Sequence, residues 1–352
     1  MPTPNGHVNS RLLVVDLTAT SRNWSLTGAA RERLAASAPS GWRIHFVSAA
    51  AMSDGDGGAP PSAEALGEVR SAEAYYGFGL SRAIFEAGTS LRWVHSAAAG
   101  VGSALFPAMV ASDVVLTNGA GIYARPIAQH VLGGVLHFLR SFDIAIDLQR
   151  MGQWDKQPFV GDAATVRELS DCQVLVIGAG GLGSAIGDAL SHFGAKCVGV
   201  RRHVDRPKPA GFERIVGPEQ LDVELADADV VVLSTPATPE TRRLLDGGRI
   251  ARLKRHSIVV NVGRGSLLDE AALATALENG AVRGAVLDVF EEEPLVAASP
   301  LWGLRNVLVT PHVSGVSPSR YWDRQLDLFI DNWTCYSDGR PMHNVVDKHA
   351  GY

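Results

Sequence analysis

Cysteine is scarce, with only Cys172, Cys197 and Cys335 in 352 residues. The three are far apart, odd in number and form no C-x-x-C, which argues against a disulfide frame or a zinc ribbon. Buried, reduced thiols in a cytoplasmic protein are the expectation. Long apolar runs are missing too. No stretch of about 18 uncharged apolar residues occurs, so no membrane-spanning helix is expected. The N-terminal MPTPNGHVNSRLLVVDL has no apolar stretch behind basic residues, so no signal peptide is expected. Residues 1–10 read as a disordered leader. Neither charge sign dominates: 32 Lys and Arg stand against 37 Asp and Glu, a formal net charge of −5. Whole-chain attraction to nucleic acid or an anionic membrane is therefore not expected. There is no internal repeat, no low-complexity tract and no metal-ligand motif.

What remains is globular. Hydrophobic residues make up 46% and charged residues 20%, near the globular average, and the length suits about two domains. Short apolar runs alternate with helical patterns, which implies βαβ units and parallel sheets. One series of strand candidates is LLVVDL (12–17), RIHFV (43–47), AYYGFG (74–79), LRWVHS (91–96) and VVLTN (114–118). Helical stretches at 26–36 and 81–86 lie among them, and 55–61 reads as a loop. A second series is QVLVIG (173–178), AKCVGV (195–200), DVVVLS (229–234), SIVVNVG (257–263), GAVLDVF (284–290) and NVLVTPH (306–312). These near-continuous apolar runs suit strands covered on both faces. A helix at 270–279 ends at Gly280, a plausible C′ glycine. Between the series, Ile127, Val131, Leu132, Val135, Leu136 and Leu139 recur at helical spacing. This predicts one long helix over 126–151, acting as an interdomain strut and a dimer surface. A last helix runs from 319 to about 336.

Chemistry-bearing residues cluster after strands of the second series. Gly178, Gly180 and Gly183 form G-x-G-x-x-G between the strand QVLVI and a helix over 182–193. The first glycine allows the tight turn, the second admits a pyrophosphate and the third lets helix and strand pack. The helix N-terminus then offers free N–H groups to phosphate. After the next strand, where an NAD-preferring fold places a carboxylate about 20 residues on, the sequence reads CVGVRRHVDR. Arg201 and Arg202 suit a 2′-phosphate, so NADP(H) is favoured, with NAD(H) possible. Arg264, between Gly263 and Gly265 at a strand end, is placed to hold a carboxylate by a two-pronged contact. Glu293 and His312 follow two further strands. A carboxylate beside an imidazole favours the imidazolium, which can protonate a carbonyl and take the proton back in reverse.

The segments VLVIGAGGLGSAIGDAL, STPATPETRRLL, IVVNVGRGSLLDEAAL, GAVLDVFEEEPL and SPLWGLRNVLVTPHVSG resemble the D-isomer-specific 2-hydroxyacid dehydrogenase family. LRWVHSAAAGV and LTNGAGIYARPIAQHVLG resemble its first-domain segments, so the likeness spans nearly the whole chain. The Arg-rich loop after the second strand is similar to that of bacterial glyoxylate/hydroxypyruvate reductases. The resemblance implies an α/β fold of two Rossmann-like or flavodoxin-like doubly wound parallel-sheet domains with a cleft between them. It implies a discontinuous substrate-binding domain, 1–117 with 318–352, and a dinucleotide-binding domain, 118–317. It further implies catalytic roles for Arg264, Glu293 and His312. Cofactor contacts would come from Gly178, Gly180, Gly181, Leu182, Gly183, Arg201, Arg202, Thr235, Pro236, Thr241, Val262, Gly263, Asp288 and Gly315. Asp288 would accept from the nicotinamide carboxamide. The substrate would meet Ala99 and Gly100 as well as Arg264 and His312. A homodimer through 126–154 is implied, with Trp154 near the partner's site.

Two departures stand out: Gln129 replaces the family's usual acid, and Gly102 stands where many members carry Asp. The implied activity is reduction of a small 2-oxoacid to the D-2-hydroxyacid with NAD(P)H, and the reverse. The alternative is a dinucleotide-sensing, corepressor-like binding protein without turnover. Formate dehydrogenases share the fold, but Glu293 counts against that reading, because they carry glutamine there.

Overall fold

The computed structural model describes residues 11–19, 24–50 and 60–351. The leader at 1–10 and most of the 55–61 loop lie outside the described residues. The chain divides into two compact units, Met1–Ile122 with Ser317–Tyr352, and Tyr123–Val316.

The first unit is built on five parallel strands: β1 (Arg11–Asp16), β2 (Trp42–Phe46), β3 (Ala74–Gly77), β4 (Trp93–Ser96) and β5 (Val115–Asn118). Their order, β2-β1-β3-β4-β5, is the flavodoxin-like one. Leu12, Val14, Tyr75, Val94 and Leu116 pack on one face. The opposite face meets the helix Tyr321–Ser337, whose Phe329 stacks on Tyr76 at 4.0 Å and on Trp93 at 5.2 Å. The chain end thus completes the unit formed by the chain start. Residues 118–122 also pack here rather than with the second unit. Asn118 Nδ2 donates to the Ala99 carbonyl at 2.8 Å and the Gly119 N–H to that of Ala98 at 3.1 Å.

Seven parallel strands form the second unit: β6 (Gln173–Ile177), β7 (Lys196–Val200), β8 (Arg214–Val216), β9 (Val230–Leu233), β10 (Ile258–Asn261), β11 (Gly284–Leu287) and β12 (Val307–Val309). The order β12-β11-β10-β9-β6-β7-β8 is the dinucleotide-fold order with one more strand at the outer edge, and it reverses between β6 and β9. Alternate residues serve two cores, as the two-residue strand period requires. Val174, Val176, Val230, Val232 and Val260 face the helices Ala124–Leu139 and Gly181–Ser191. Leu175, Ile177, Val231, Leu233 and Leu287 face Leu225, Leu273 and Leu277 on the other side. At the sheet's N-terminal edge the buried Asp229 carboxylate accepts from Gln173 N–H (2.8 Å), Arg167 (3.1 Å) and His256 (2.8 Å).

The sequence reading needs two corrections here. The three-residue edge strand β8 is too short to show a period, and the apolar pattern missed it. The long helix expected over 126–151 is two helices, Ala124–Leu139 and Phe142–Met151. The break falls at buried Ser141, whose φ of 54° lies in the left-handed region. Arg283 holds the break: it donates to the Phe138 carbonyl at 3.3 Å, satisfying the end of the first helix, and grips Asp143 with two bonds of 2.8 Å. The side chains of this pair are only 13% and 8% exposed. Removing one partner of such a pair strands a buried charge, which typically costs about 3–5 kcal/mol. Arg283→Met should therefore lower the urea unfolding free energy by about that much, and adding Asp143→Leu should recover most of it. A single-variant loss under about 1 kcal/mol would show that water reaches the pair.

Candidate active site

A parallel sheet delivers the end of every strand to one edge, and the chemistry-bearing residues of the second unit all sit there. After β6 the chain turns at Gly178, with φ of 106°. A Cβ at Gly178 would stand 2.7 Å from the Thr235 nitrogen, and one at Gly183 would stand 2.2 Å from the Gly178 oxygen. Both glycines are thus fixed by backbone contact within the fold. Gly180 and Gly181 are different, because a Cβ there would meet nothing within 4 Å among the described residues. They bound open space at the start of the helix Gly181–Ser191, where no side chain caps the N–H groups. Leu182 is half-buried behind them.

After β7, Arg201 folds onto its own loop and donates to the carbonyls of Arg206 and Pro207, while its Nε is buried without a partner among the described residues. Arg202 is exposed and meets Glu240 at 3.3 Å. After β9, Thr235 and Pro236 open a loop that Thr241 closes. The Thr241 hydroxyl donates to the Pro236 carbonyl at 2.8 Å and accepts from the Thr238 N–H at 2.7 Å.

After β10 comes Val262-Gly263-Arg264. The buried Asn261 accepts from the Gly263 N–H at 3.1 Å and donates to the Arg264 carbonyl at 3.0 Å, which leaves the Arg264 side chain exposed. Gly265 admits no side chain, since a Cβ would fall 1.8 Å from the Phe290 carbonyl carbon. This contact locks the Arg264 turn against the 290–293 loop, where Glu293 sits. Sequence reasoning took Gly265 as a flanking residue and missed Asn261.

His312 follows β12. Its Nδ1 lies 2.8 Å from Glu293 Oε2, and Glu293 Oε1 accepts the Phe290 N–H at 2.9 Å. The structure thus brings Glu293 and His312 together and leaves both open to solvent. The backbone of His312 is left-handed, with φ of 53°, and its N–H donates to the Asp288 carbonyl at 2.9 Å. Asp288 holds this loop. Although fully buried, its carboxylate accepts from the Thr310 hydroxyl at 2.6 Å and from the N–H groups of Val313 and Ser314 at 2.9 and 3.0 Å. Burial would raise its pKa, but the hydrogen bonds from Ser314, Thr310 and the loop amides outweigh that and hold the carboxyl below the usual range. The oxygens expected to face a nicotinamide carboxamide are aimed at the histidine's own loop. The signal in the sequence was the run of donors in TPHVSG. Gly315 completes the loop, close against Tyr123.

The residues named for the first unit lie on one loop after β4. The carbonyls of Ala97, Ala98 and Ala99 accept from Gln325, Gly119 and Asn118. Ala99 and Gly100 themselves are exposed.

An anion-ready glycine turn at the switch point and an imidazole paired to a carboxylate along the same edge define a dinucleotide-dependent oxidoreductase domain. Comparison with known proteins agrees. Residues 132–314 match the family model for the D-isomer specific 2-hydroxyacid dehydrogenase, NAD binding domain. A glyoxylate/hydroxypyruvate reductase B from Salmonella schwarzengrund (strain CVM19633) is 30% identical over 273 residues, covering 77% of this chain and 82% of that protein. A D-isomer specific 2-hydroxyacid dehydrogenase from Xanthobacter autotrophicus Py2, solved with NADPH and MES, aligns with a TM-score of 0.77 at 30% identity over 97% of this chain and 100% of its own. The NADPH-dependent glyoxylate/hydroxypyruvate reductase of Sinorhizobium meliloti, solved with NADP and sulfate, aligns with a TM-score of 0.76 at 26% identity, again over 97% and 100%. The chain belongs to the D-isomer specific 2-hydroxyacid dehydrogenase family and is an NAD(P)-dependent oxidoreductase.

Asp288 gives the site a direct test. It faces donors only, so Asp288→Asn would set an amide NH₂ against an N–H or hydroxyl donor. An unsatisfied buried group costs about 1–3 kcal/mol, and the variant should lose that much unfolding free energy together with kcat. The sign with pH follows from the lowered pKa. The wild-type contribution is present above the ordinary carboxylate range near 4 and fades as pH falls through and below it. Urea unfolding between neutral pH and pH 3 checks both points; equal stabilities of variant and wild type at pH 7 would refute the anchoring role.

Proposed function

We propose that the protein reduces a small 2-oxoacid of the glyoxylate or hydroxypyruvate type to the D-2-hydroxyacid, catalyses the reverse oxidation, and prefers NADP(H) to NAD(H). The observation that carries this reading is the 2.8 Å contact between Glu293 and His312, locked through Gly265 to the turn that presents Arg264. Two of the named relatives are glyoxylate/hydroxypyruvate reductases, and the two solved ones hold NADPH or NADP.

In this reading the second unit holds the dinucleotide and the first binds substrate. The open space over Gly180 and Gly181 fits a pyrophosphate, with Gly178 and Gly183 shaping the turn. Thr235, Pro236, Thr241, Val262, Gly263 and Gly315 are assigned to the nicotinamide half, and Asp288 holds the His312 loop beside it. Arg201 and Arg202 answer the 2′-phosphate. No carboxylate stands at position 201 to repel it. The reduced nicotinamide, when bound, supplies a hydride to the 2-carbon of the oxoacid. His312 donates its proton to the carbonyl oxygen as negative charge builds there, and Glu293 compensates the imidazolium. Arg264 binds the substrate carboxylate and stabilises the developing alkoxide. Ala99 and Gly100, both exposed, are assigned to substrate binding. In the oxidation His312 takes the proton back. The relatives named as reductases favour turnover over a non-catalytic dinucleotide sensor.

Kinetics with glyoxylate, hydroxypyruvate, pyruvate, phenylpyruvate and formate, each with NADPH and NADH, test the reading. Turnover should be best with one of the first two and with NADPH, and Arg201→Asp should reverse the cofactor preference. His312→Ala should lower kcat by roughly 10²–10⁴ with cofactor affinity nearly unchanged. Arg264→Ala should raise KM and lower kcat together. Near-normal turnover by His312→Ala would overturn the assignment.

A homodimer through 126–154 belongs to the same proposal. Every residue of the helix Phe142–Met151 is at least partly exposed, Phe142 and Met151 by more than half, and Trp154 is 91% exposed. That apolar strip suits a second copy, with Trp154 reaching towards its site. Light scattering should give twice the chain mass at micromolar concentration, and a monomer there would end this part of the proposal. We place the protein in the cytoplasm, consistent with three buried, unpaired cysteines. No helix among the described residues is long and apolar enough to cross a membrane.

A further inference from the structure

Three metal-binding side chains meet in the first unit, on elements that carry none of the residues assigned to the reaction. Asp331 and Cys335 stand four residues apart on the helix Tyr321–Ser337 and therefore share a face. The chain reverses after the helix at Gly339, with φ of 67°, and the Arg340 N–H donates to the Cys335 carbonyl at 2.7 Å. This return brings His343 over the same face. Its Nε2 lies 2.8 Å from Asp331 Oδ2, and one donor atom from each of Asp331, Cys335 and His343 lies within 4.8 Å of the other two.

The histidine is held there from both sides. The Asn332 carboxamide accepts the His343 N–H at 2.6 Å and donates to its carbonyl at 3.0 Å. Just beyond, the Val346 N–H donates to the Leu116 carbonyl at 2.9 Å, which pins the tail to β5. Asn332 thus fixes the backbone of a would-be ligand as outer-shell groups do in metal sites. The exposed Asp–His pair alone would contribute little. A sulfur at the third corner, buried at 3% exposure, changes the chemistry of the cluster.

We propose that Asp331, Cys335 and His343 bind one divalent transition-metal ion of the zinc class. Thiolate, imidazole and carboxylate together select a borderline-soft ion and disfavour magnesium or calcium, which want oxygen throughout. Ligand atoms around a tetrahedral zinc stand roughly 3.5 Å apart, so the widest separation has to close by about an ångström while the Asp331–His343 contact opens by somewhat less. One thiolate and one carboxylate neutralise the ion's charge, with His343 bound as neutral imidazole. The thiol proton, and any imidazolium proton, leave to solvent. Asp331 and His343 are exposed, so the fourth position is open to water. The ion would tie the tail 338–346 to the last turns of the helix.

The test uses the full-length protein, freed of metal by chelator and titrated with Co²⁺. It should take up one equivalent and develop a near-ultraviolet thiolate-to-cobalt charge-transfer band, which added Zn²⁺ removes. Cys335→Ala should abolish the band while far-ultraviolet circular dichroism and turnover stay normal. His343→Gln, at an exposed position, should weaken Co²⁺ binding at least tenfold and cancel the rise in Tm that Zn²⁺ gives the wild type; it decides the matter even if Cys335→Ala folds poorly. Absence of the band at saturating Co²⁺, its persistence in Cys335→Ala, or an unchanged Tm response in His343→Gln would overturn the proposal.

Discussion

Asp288 is fully buried and its carboxyl is still held below the usual carboxylate range, because Thr310, Val313 and Ser314 all donate to it. A buried carboxylate tolerates ionisation only when its lone pairs are filled this way. The same residue's carbonyl takes the His312 N–H. One side chain at the end of β11 therefore shapes the loop that follows β12 and aims the imidazole at Glu293. Around it, Asn261 shapes the turn after β10 in the same manner, and Gly265 sets that turn against the loop that bears Glu293. The proposed chemistry depends on side chains whose placement is decided by buried amides and carboxylates one layer below.

The parallel sheet supplies the wider constraint. Its strands run one way, so each connection leaves from the same edge, and functional side chains from distant stretches of sequence collect there without long loops. The opposite edge is tied down by Asp229, where desolvation opposes ionisation but bonds from Gln173, His256 and Arg167 prevail. One edge is pinned while the other carries the residues that would do the work.

Much of this was legible in the sequence because burial on both faces writes strands as plain apolar runs. Eleven runs could be read that way; β8 could not, since Ile215 and Val216 alone make no pattern. The glycine turn was legible because strand and helix flank it. The choice of Glu293 over Glu291 and Glu292 came from resemblance rather than from any local signal, and geometry now separates them, with Glu291 bonded to Arg242 at 3.1 Å. The helix break at Ser141 was hidden because apolar spacing continues through Ile144 and Leu148, while its cause, Arg283, lies far along the chain. Roles that depend on distant partners, such as those of Arg283, Gly265 and the Asp288 carboxylate, leave no periodicity to read.

The left-handed backbone of His312 has a further consequence. A non-glycine residue held there stores conformational energy, of order 1 kcal/mol or more, that the surrounding bonds must offset. Glycine or asparagine would occupy the same backbone more comfortably. Selection for stability alone would therefore push against the imidazole, and on the role proposed for His312 a thermostabilised descendant of this protein would tend to be an inert one. On that reading any effort to harden the protein has to look elsewhere and treat the strain at 312 as part of what keeps it working.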